Sequence, residues 1–191
     1  KDNTSYSEGL VWLAKTYTRT EQYSNAEFLL KNLEKTPGIK QEVLDEINPA
    51  MADLMIKQEE YETALTYLDK AIEGNARKND KARYAYIAGQ IYRNLKKPAI
   101  ASDYFLKAKK MAKVFKLKFM SELAYATTLA AKSSGGPEAT IRQLEKFLKE
   151  DKYREFKDQI YFSLGESDYP TDKAKAREYF LESSKNNNNN V

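Results

Sequence analysis

Ala64-Leu65-Thr66-Tyr67-Leu68-Asp69-Lys70-Ala71 and Ala101-Ser102-Asp103-Tyr104-Phe105-Leu106-Lys107-Ala108 are near copies set 37 residues apart. Each places Ala, a large apolar side chain and Ala at i, i+4 and i+7, which is one face of an α-helix. Each also follows a tyrosine-containing amphipathic segment. A helical repeat of this length cannot bury its apolar face alone, so copies stack on one another. Such a chain builds a surface rather than a catalytic pocket.

Around the second copy the chain reads Ala88-Gly89-Gln90-Ile91-Tyr92, then Ala101, Phe105 and Ala108. The order of a small pair, Tyr, Ala, aromatic and Ala resembles the tetratricopeptide repeat, TPR. The resemblance implies an all-α, TPR-like α-solenoid of about five helical hairpins in a right-handed superhelix.

The expected units are about 5–37, 38–75, 79–113, 114–150 and 151–185, with 186–191 a polar tail. Unit one opens on a capping box, Ser5 to Glu8, and closes at Pro37-Gly38. Pro49 falls inside the first helix of unit two, which predicts a kink or a restart there. Unit four is degenerate, with an Ala/Thr-rich first helix over about 115–132 and a restart at Gly135-Gly136-Pro137. Unit five recovers the pattern in Ile160, Tyr161, Leu164, Gly165, Ala176 and Phe180, with a turn one residue shorter. Gly89, Gly165, Ala14 and Ala52 are expected where the two helices of a hairpin cross most closely. Leu30, Leu68, Phe105 and Phe180 are expected to fill the space between neighbouring units.

The chain has neither histidine nor cysteine. That removes imidazole acid–base chemistry, thiol nucleophiles and cysteine- or histidine-based zinc sites. No apolar run approaches the ~18 residues that cross a bilayer, and Lys1-Asp2-Asn3-Thr4 does not open a signal peptide, so the segment reads as soluble. Residues 81–118 hold eleven Lys/Arg against one acid, Asp103, giving +10 there and −6 elsewhere. Most of these lysines, Lys109 among them, read as solvated helix faces whose removal is silent; the remainder point to an acidic partner.

Tyr61-Glu62-Thr63-Ala64-Leu65-Thr66-Tyr67-Leu68 followed by Lys81-Ala82-Arg83-Tyr84-Ala85-Tyr86-Ile87-Ala88-Gly89-Gln90-Ile91-Tyr92 is similar to the TPR region of SprE/PorW-type lipoproteins of the Bacteroidetes type IX secretion and gliding machinery. This resemblance implies a fragment of a non-enzymatic component on the periplasmic face of the outer membrane. Membrane contact would then run only through a lipid anchor outside this segment.

In a TPR stack, the resemblance implies, first helices line the concave groove. Unit one contributes Glu8, Val11, Lys15, Thr18 and Arg19; unit two Glu46, Asp53, Ile56 and Lys57; unit three Arg83, Tyr86, Gln90, Arg93 and Asn94. Of these, Lys15, Arg19, Asp53, Lys57, Arg83, Tyr86, Gln90, Arg93 and Asn94 are the candidate partner-binding residues. Gln90 and Asn94 suit the backbone of an extended peptide, and Arg83 with Arg93 could clamp a carboxylate. The expected partner is a protein with an acidic or extended segment, with no small-molecule substrate, cofactor or metal. Asp53 and Lys57 are better read as an i,i+4 ion pair than as catalysts. The alternative readings are a TPR adaptor of another pathway, or a nucleic-acid binder through residues 107–118 with Tyr104, Phe105 and Phe115 as stacking groups.

Overall fold

The computed structural model describes residues 4–129 and 136–187. Among these residues it contains ten α-helices, one 3-10 helix and no strand: α1 (Thr4–Arg19), α2 (Tyr23–Glu34), α3 (Gln41–Lys57), α4 (Tyr61–Glu73), α5 (Lys78–Asn94), α6 (Pro98–Met111), α7 (Phe115–Leu129), α8 (Gly136–Lys149), the 3-10 helix Asp151–Phe156, α9 (Lys157–Asp168) and α10 (Lys173–Lys185). Contacts run between chain neighbours, with α1 also packing on α3, α5 on α7 and α7 on α9. The architecture is a TPR-like α-solenoid of helical hairpins, because each amphipathic helix finds its apolar partner in the next element.

Three hairpins turn in the same way. Glu21, Glu59 and Lys96 sit at φ of 61°, 61° and 59°. In each turn the following amide reaches back five residues: Gln22 N–H to Tyr17 O, Glu60 N–H to Met55 O and Lys97 N–H to Tyr92 O, at 2.8, 2.8 and 2.9 Å. The left-handed residue also donates three residues back, to Thr18, Ile56 and Arg93 carbonyls. This pair of bonds is the Schellman motif, which satisfies the last carbonyls of the first helix and reverses the chain. In the fifth hairpin the expected shorter turn does not form: α9 ends at Asp168 and α10 starts at Lys173, a longer connection than in the other three, and Asp172 caps α10 by accepting from Lys175 N–H at 3.0 Å.

Ala14, Ala26, Ala64, Ala88, Ala101, Ala108 and Ala176 are completely buried. Gly89 faces Phe105 and Gly165 faces Phe180 across their hairpins. Phe105 and Phe180 therefore fill space inside their own hairpins first, against the expectation that they pack mainly between units. Phe105 also joins Ala124 of α7 in one buried cluster, so it does both.

Several local expectations change. The capping box does not form at Ser5, because α1 already includes Thr4. α3 runs unbroken through Pro49 with no restart. An interior proline deletes one helical hydrogen bond and crowds the preceding turn. Here Ile47, Met51, Leu54 and Met55, all nearly inaccessible, hold both halves of α3 against the core. The end of the expected 115–132 helix, Gly135 and residues 188–191 of the tail lie outside the described residues; α8 starts at Gly136, with φ of 58°. The 3-10 helix Asp151–Phe156 has no counterpart in the repeat pattern. It inserts Tyr153 and Phe156 against α7 and α8, with Phe119–Phe156 ring centroids 4.2 Å apart and Phe147–Tyr153 at 5.1 Å.

Candidate peptide-binding groove

The C-terminal ends of the first helices α5, α7 and α9, with Pro137 of α8 and Pro170, line an open polar cavity of about 600 Å³. Arg93, Asn94 and Lys96 form one wall, Thr127 and Thr128 the middle, and Ser163, Glu166 and Ser167 the other wall. A narrower cleft of about 120 Å³ shares Arg93, Thr127, Ser163 and Glu166 with it and adds Tyr86, Met120, Leu123 and Gln159. Arg93 is held by its guanidinium over the Phe105 ring at 5.7 Å, a contact that fixes a cation without neutralising it. Tyr86 packs on Phe105 with ring centroids 5.6 Å apart. Its phenol is pushed above the usual tyrosine range by burial, with the Arg93 charge opposing. Thr128 is buried, and its Oγ1 is out of contact with solvent and without a hydrogen-bond partner, so the residue closes the cavity floor without presenting its hydroxyl to it.

The sequence-predicted residues divide between this cavity and the rest of the stack. Tyr86, Arg93 and Asn94 line the cavity; Gln90 is half-buried and Arg83 exposed on the same helix. Arg19, Asp53 and Lys57 are exposed in the first two hairpins. The expected Asp53–Lys57 ion pair is not among the ion pairs of the described residues, since each side chain stays solvated. Lys15 is already engaged: its Nζ donates to Glu46 Oε2 at 2.6 Å and lies 4.5 Å over the Trp12 ring. Val11 and Thr18, assigned to the groove, are buried instead, and Thr18 Oγ1 donates to Ala14 O at 3.1 Å. A smaller hollow of about 220 Å³ there is lined by Glu8, Val11, Trp12 and Glu46.

The residues that sequence reasoning missed come from α7 and α9. Gln90 and Glu166 each follow the hairpin glycine, Gly89 and Gly165, so carrying the register forward would have found Glu166. α7 offered no such anchor, because its Ala/Thr-rich run has no unique phase.

Behind the groove, hydroxyl–carboxylate bonds link consecutive hairpins. Tyr67 Oη donates to Glu34 Oε2 at 3.3 Å and Tyr104 Oη to Asp69 Oδ1 at 2.5 Å. Tyr153 Oη donates to Glu122 Oε2 at 2.8 Å, and Lys109 Nζ pairs with Glu122 Oε1 at 2.7 Å. Burial pushes the Tyr104 phenol well up, helped by Asp69, and takes Tyr153 up to about 12 with help from Glu122. Burial alone would raise the Glu122 carboxyl, but the bonds from Lys109 and Tyr153 outweigh it and hold it below the usual range. Lys109 is thus a structural ion-pair partner, not a silent surface lysine.

No protein-family model matches the chain, and no curated protein matches it in sequence. Solved structures do match in fold. BtubC (BKLC) from P. vanneervenii superposes with a TM-score of 0.70 at 15% identity, over 96% of this chain and 80% of that one. MamA MSR-1 gives 0.60 at 14% identity, over 97% of both chains. MamA AMB-1 gives 0.61 at 12% identity, over 94% of this chain and 91% of that one. At such identities the shared property is the fold, a TPR-like helical solenoid that persists while its surface residues are replaced.

Proposed function

We propose that the chain is a non-catalytic protein-interaction scaffold that holds an extended segment of a partner protein across α5, α7 and α9. The observation that carries this reading is the polar, solvent-open cavity lined by Arg93 and Asn94 on one side and by Ser163, Glu166 and Ser167 on the other. An extended backbone needs donors and acceptors in alternation, and an acidic side chain or terminal carboxylate on it needs Arg93. Arg83, Gln90 and Arg93, on one helix at i, i+7 and i+10, remain the binding stripe. Glu166 on the facing wall discourages a segment with adjacent acids. The non-catalytic reading rests on a side-chain inventory without histidine or cysteine.

The nucleic-acid alternative loses two of its three stacking groups: Phe105 is fully buried and Tyr104 is bonded to Asp69, which leaves only Phe115 with an exposed edge, too little for a run of stacked bases. The finer assignment, to a periplasm-facing component of type IX secretion and gliding, rests on the resemblance over Tyr61–Leu68 and Lys81–Tyr92.

The test is a panel of extended acidic, neutral and basic peptides titrated by fluorescence polarisation, beside a gel shift on mixed-sequence nucleic acid. Saturable binding of acidic peptides that Arg93→Ala abolishes supports the groove. A gel shift with no peptide binding refutes it.

A further inference from the structure

The linker between α6 and α7 carries a second surface, whose hollow shares only Gln159 with the narrower cleft and no residue with the large cavity. Val114 and Phe115 are 53% and 45% exposed, and neighbouring Lys113 and Lys116 are exposed, as are Lys110 and Lys118. None of these four lysines has an ion-pair partner among the described residues, whereas Lys109 is neutralised by Glu122. The linker is also rigidly placed. Asn79 Oδ1 accepts from both Lys113 N–H and Val114 N–H at 3.1 Å, tying the tip to the start of α5. The Phe115 ring is braced about 6 Å from those of Tyr153 and Phe156, so its exposed edge is fixed in place. Glu155 and Asp158 share a hollow with Phe115 and Lys116, but Arg154 and Lys157 beside them in the chain offset their charge.

We propose that this linker docks the scaffold on an anionic lipid bilayer surface, with Val114 and Phe115 entering the headgroup–acyl boundary and Lys110, Lys113, Lys116 and Lys118 facing the phosphates. Three features select this occupant. A projecting pair of apolar side chains ringed by cations matches an interface that supplies hydrocarbon and negative charge together. The cations of the segment are all lysine, whose flexible stems snorkel and whose point charge suits a diffuse anionic field; bidentate recognition of single phosphates in a nucleic acid selects arginine. The patch also stands at the N-terminal end of α5, while Arg93 and Asn94 stand at its C-terminal end, roughly 20 Å away at 1.5 Å per residue. A docked molecule therefore keeps the Arg93 end of its groove free.

The experiment is co-sedimentation of the full chain with vesicles of phosphatidylcholine, with and without phosphatidylglycerol. Binding is expected only to the anionic vesicles, and to weaken with salt as the Debye length falls from ~10 Å at 0.1 M to ~3 Å at 1 M. Lys113→Glu/Lys116→Glu and, separately, Val114→Asp should each lower partitioning by roughly tenfold or more. Lys35→Glu/Lys149→Glu, an equal charge change elsewhere, should leave it unchanged; circular dichroism melts confirm that every variant folds. No partitioning, partitioning indifferent to Val114→Asp, equal loss in the control pair, or retention of single-stranded nucleic acid in place of vesicles would each overturn the proposal. Peptide titration of the groove is unaffected by any of these outcomes, so the two readings fail separately.

Discussion

A Cβ placed on Gly89 would lie 2.6 Å from Cε1 of Phe105, closer than any real side-chain contact. The fifth hairpin repeats this contact: Gly165 sets its Cβ position 2.5 Å from Phe180 Cε1. The Tyr86–Phe105 and Phe162–Phe180 rings also match, both 5.6 Å apart at 53° and 54°. Close helix crossing is thus achieved by aromatic-on-glycine packing at two places whose connecting turns differ.

Substitutions of these glycines should differ in cost. Phe105 is fully buried and boxed by Tyr86 and Ala124, so it cannot retreat from a new methyl group. Gly89→Ala should therefore cost about 1–3 kcal/mol as overpacking. Phe180 is only half-buried beside an exposed Phe162, so Gly165→Ala should cost less. Gly9, in α1 with nothing near its Cβ position, should gain about 0.5–1 kcal/mol on change to Ala. Thermal melts order the three; equal effects would contradict the packing account.

Glu59 occupies a left-handed conformation that costs a non-glycine residue about 1 kcal/mol. Because its side chain is exposed and its amide bonds belong to the backbone, Glu59→Gly should stabilise the second turn by up to that amount, read as a rise in melting temperature. An unchanged or lower melting temperature would show that the Glu59 side chain supports the turn.

Tyr153 and Lys109 converge on Glu122, so their substitutions should be coupled. Lys109→Ala and Tyr153→Phe should each destabilise by roughly 1 kcal/mol, and the double variant by less than the two together. The pH dependence has a definite sign. Folding raises the Tyr153 phenol from 10.0 to about 12, so the folded chain favours its protonated form. That stability is fully present below pH 10 and is lost as pH rises towards 12. Tyr104, shifted in the same direction, extends the loss further. Alkaline melts should show Tyr153→Phe with a shallower decline across this window than the parent chain.

Arg93→Ala should abolish binding of acidic peptides while lowering stability only slightly, through the lost contact over Phe105. Peptide titration at two salt concentrations checks this, since a charge-led contact weakens with ionic strength. Arg19→Ala, in the first hairpin far along the stack, should leave peptide affinity unaltered; equal loss there would move the groove towards α1 and α3.

The local rules of the chain determined the hairpins. Ala-x-x-x-Leu/Phe-x-x-Ala spacing, glycine or alanine at each crossing and the absence of strand alternation specify helices that can bury themselves only by stacking. Those signals are short-range and repeat every ~37 residues, so they survive being read one unit at a time. What lay between units was decided by tertiary structure. α3 passes through Pro49 because buried neighbours on both sides hold it, which no propensity describes. The 3-10 helix Asp151–Phe156 forms because Phe119 and Phe147 leave an aromatic recess to fill. The cavity sits at α5, α7 and α9 rather than along the first three hairpins, since α1 packs closely on α3 and leaves only a small hollow, whereas α5, α7 and α9 barely touch and leave space between them, and Lys15 in the first hairpin is consumed by Glu46. Charge at a position can be read from sequence; whether that charge is free depends on which carboxylate the fold brings to it.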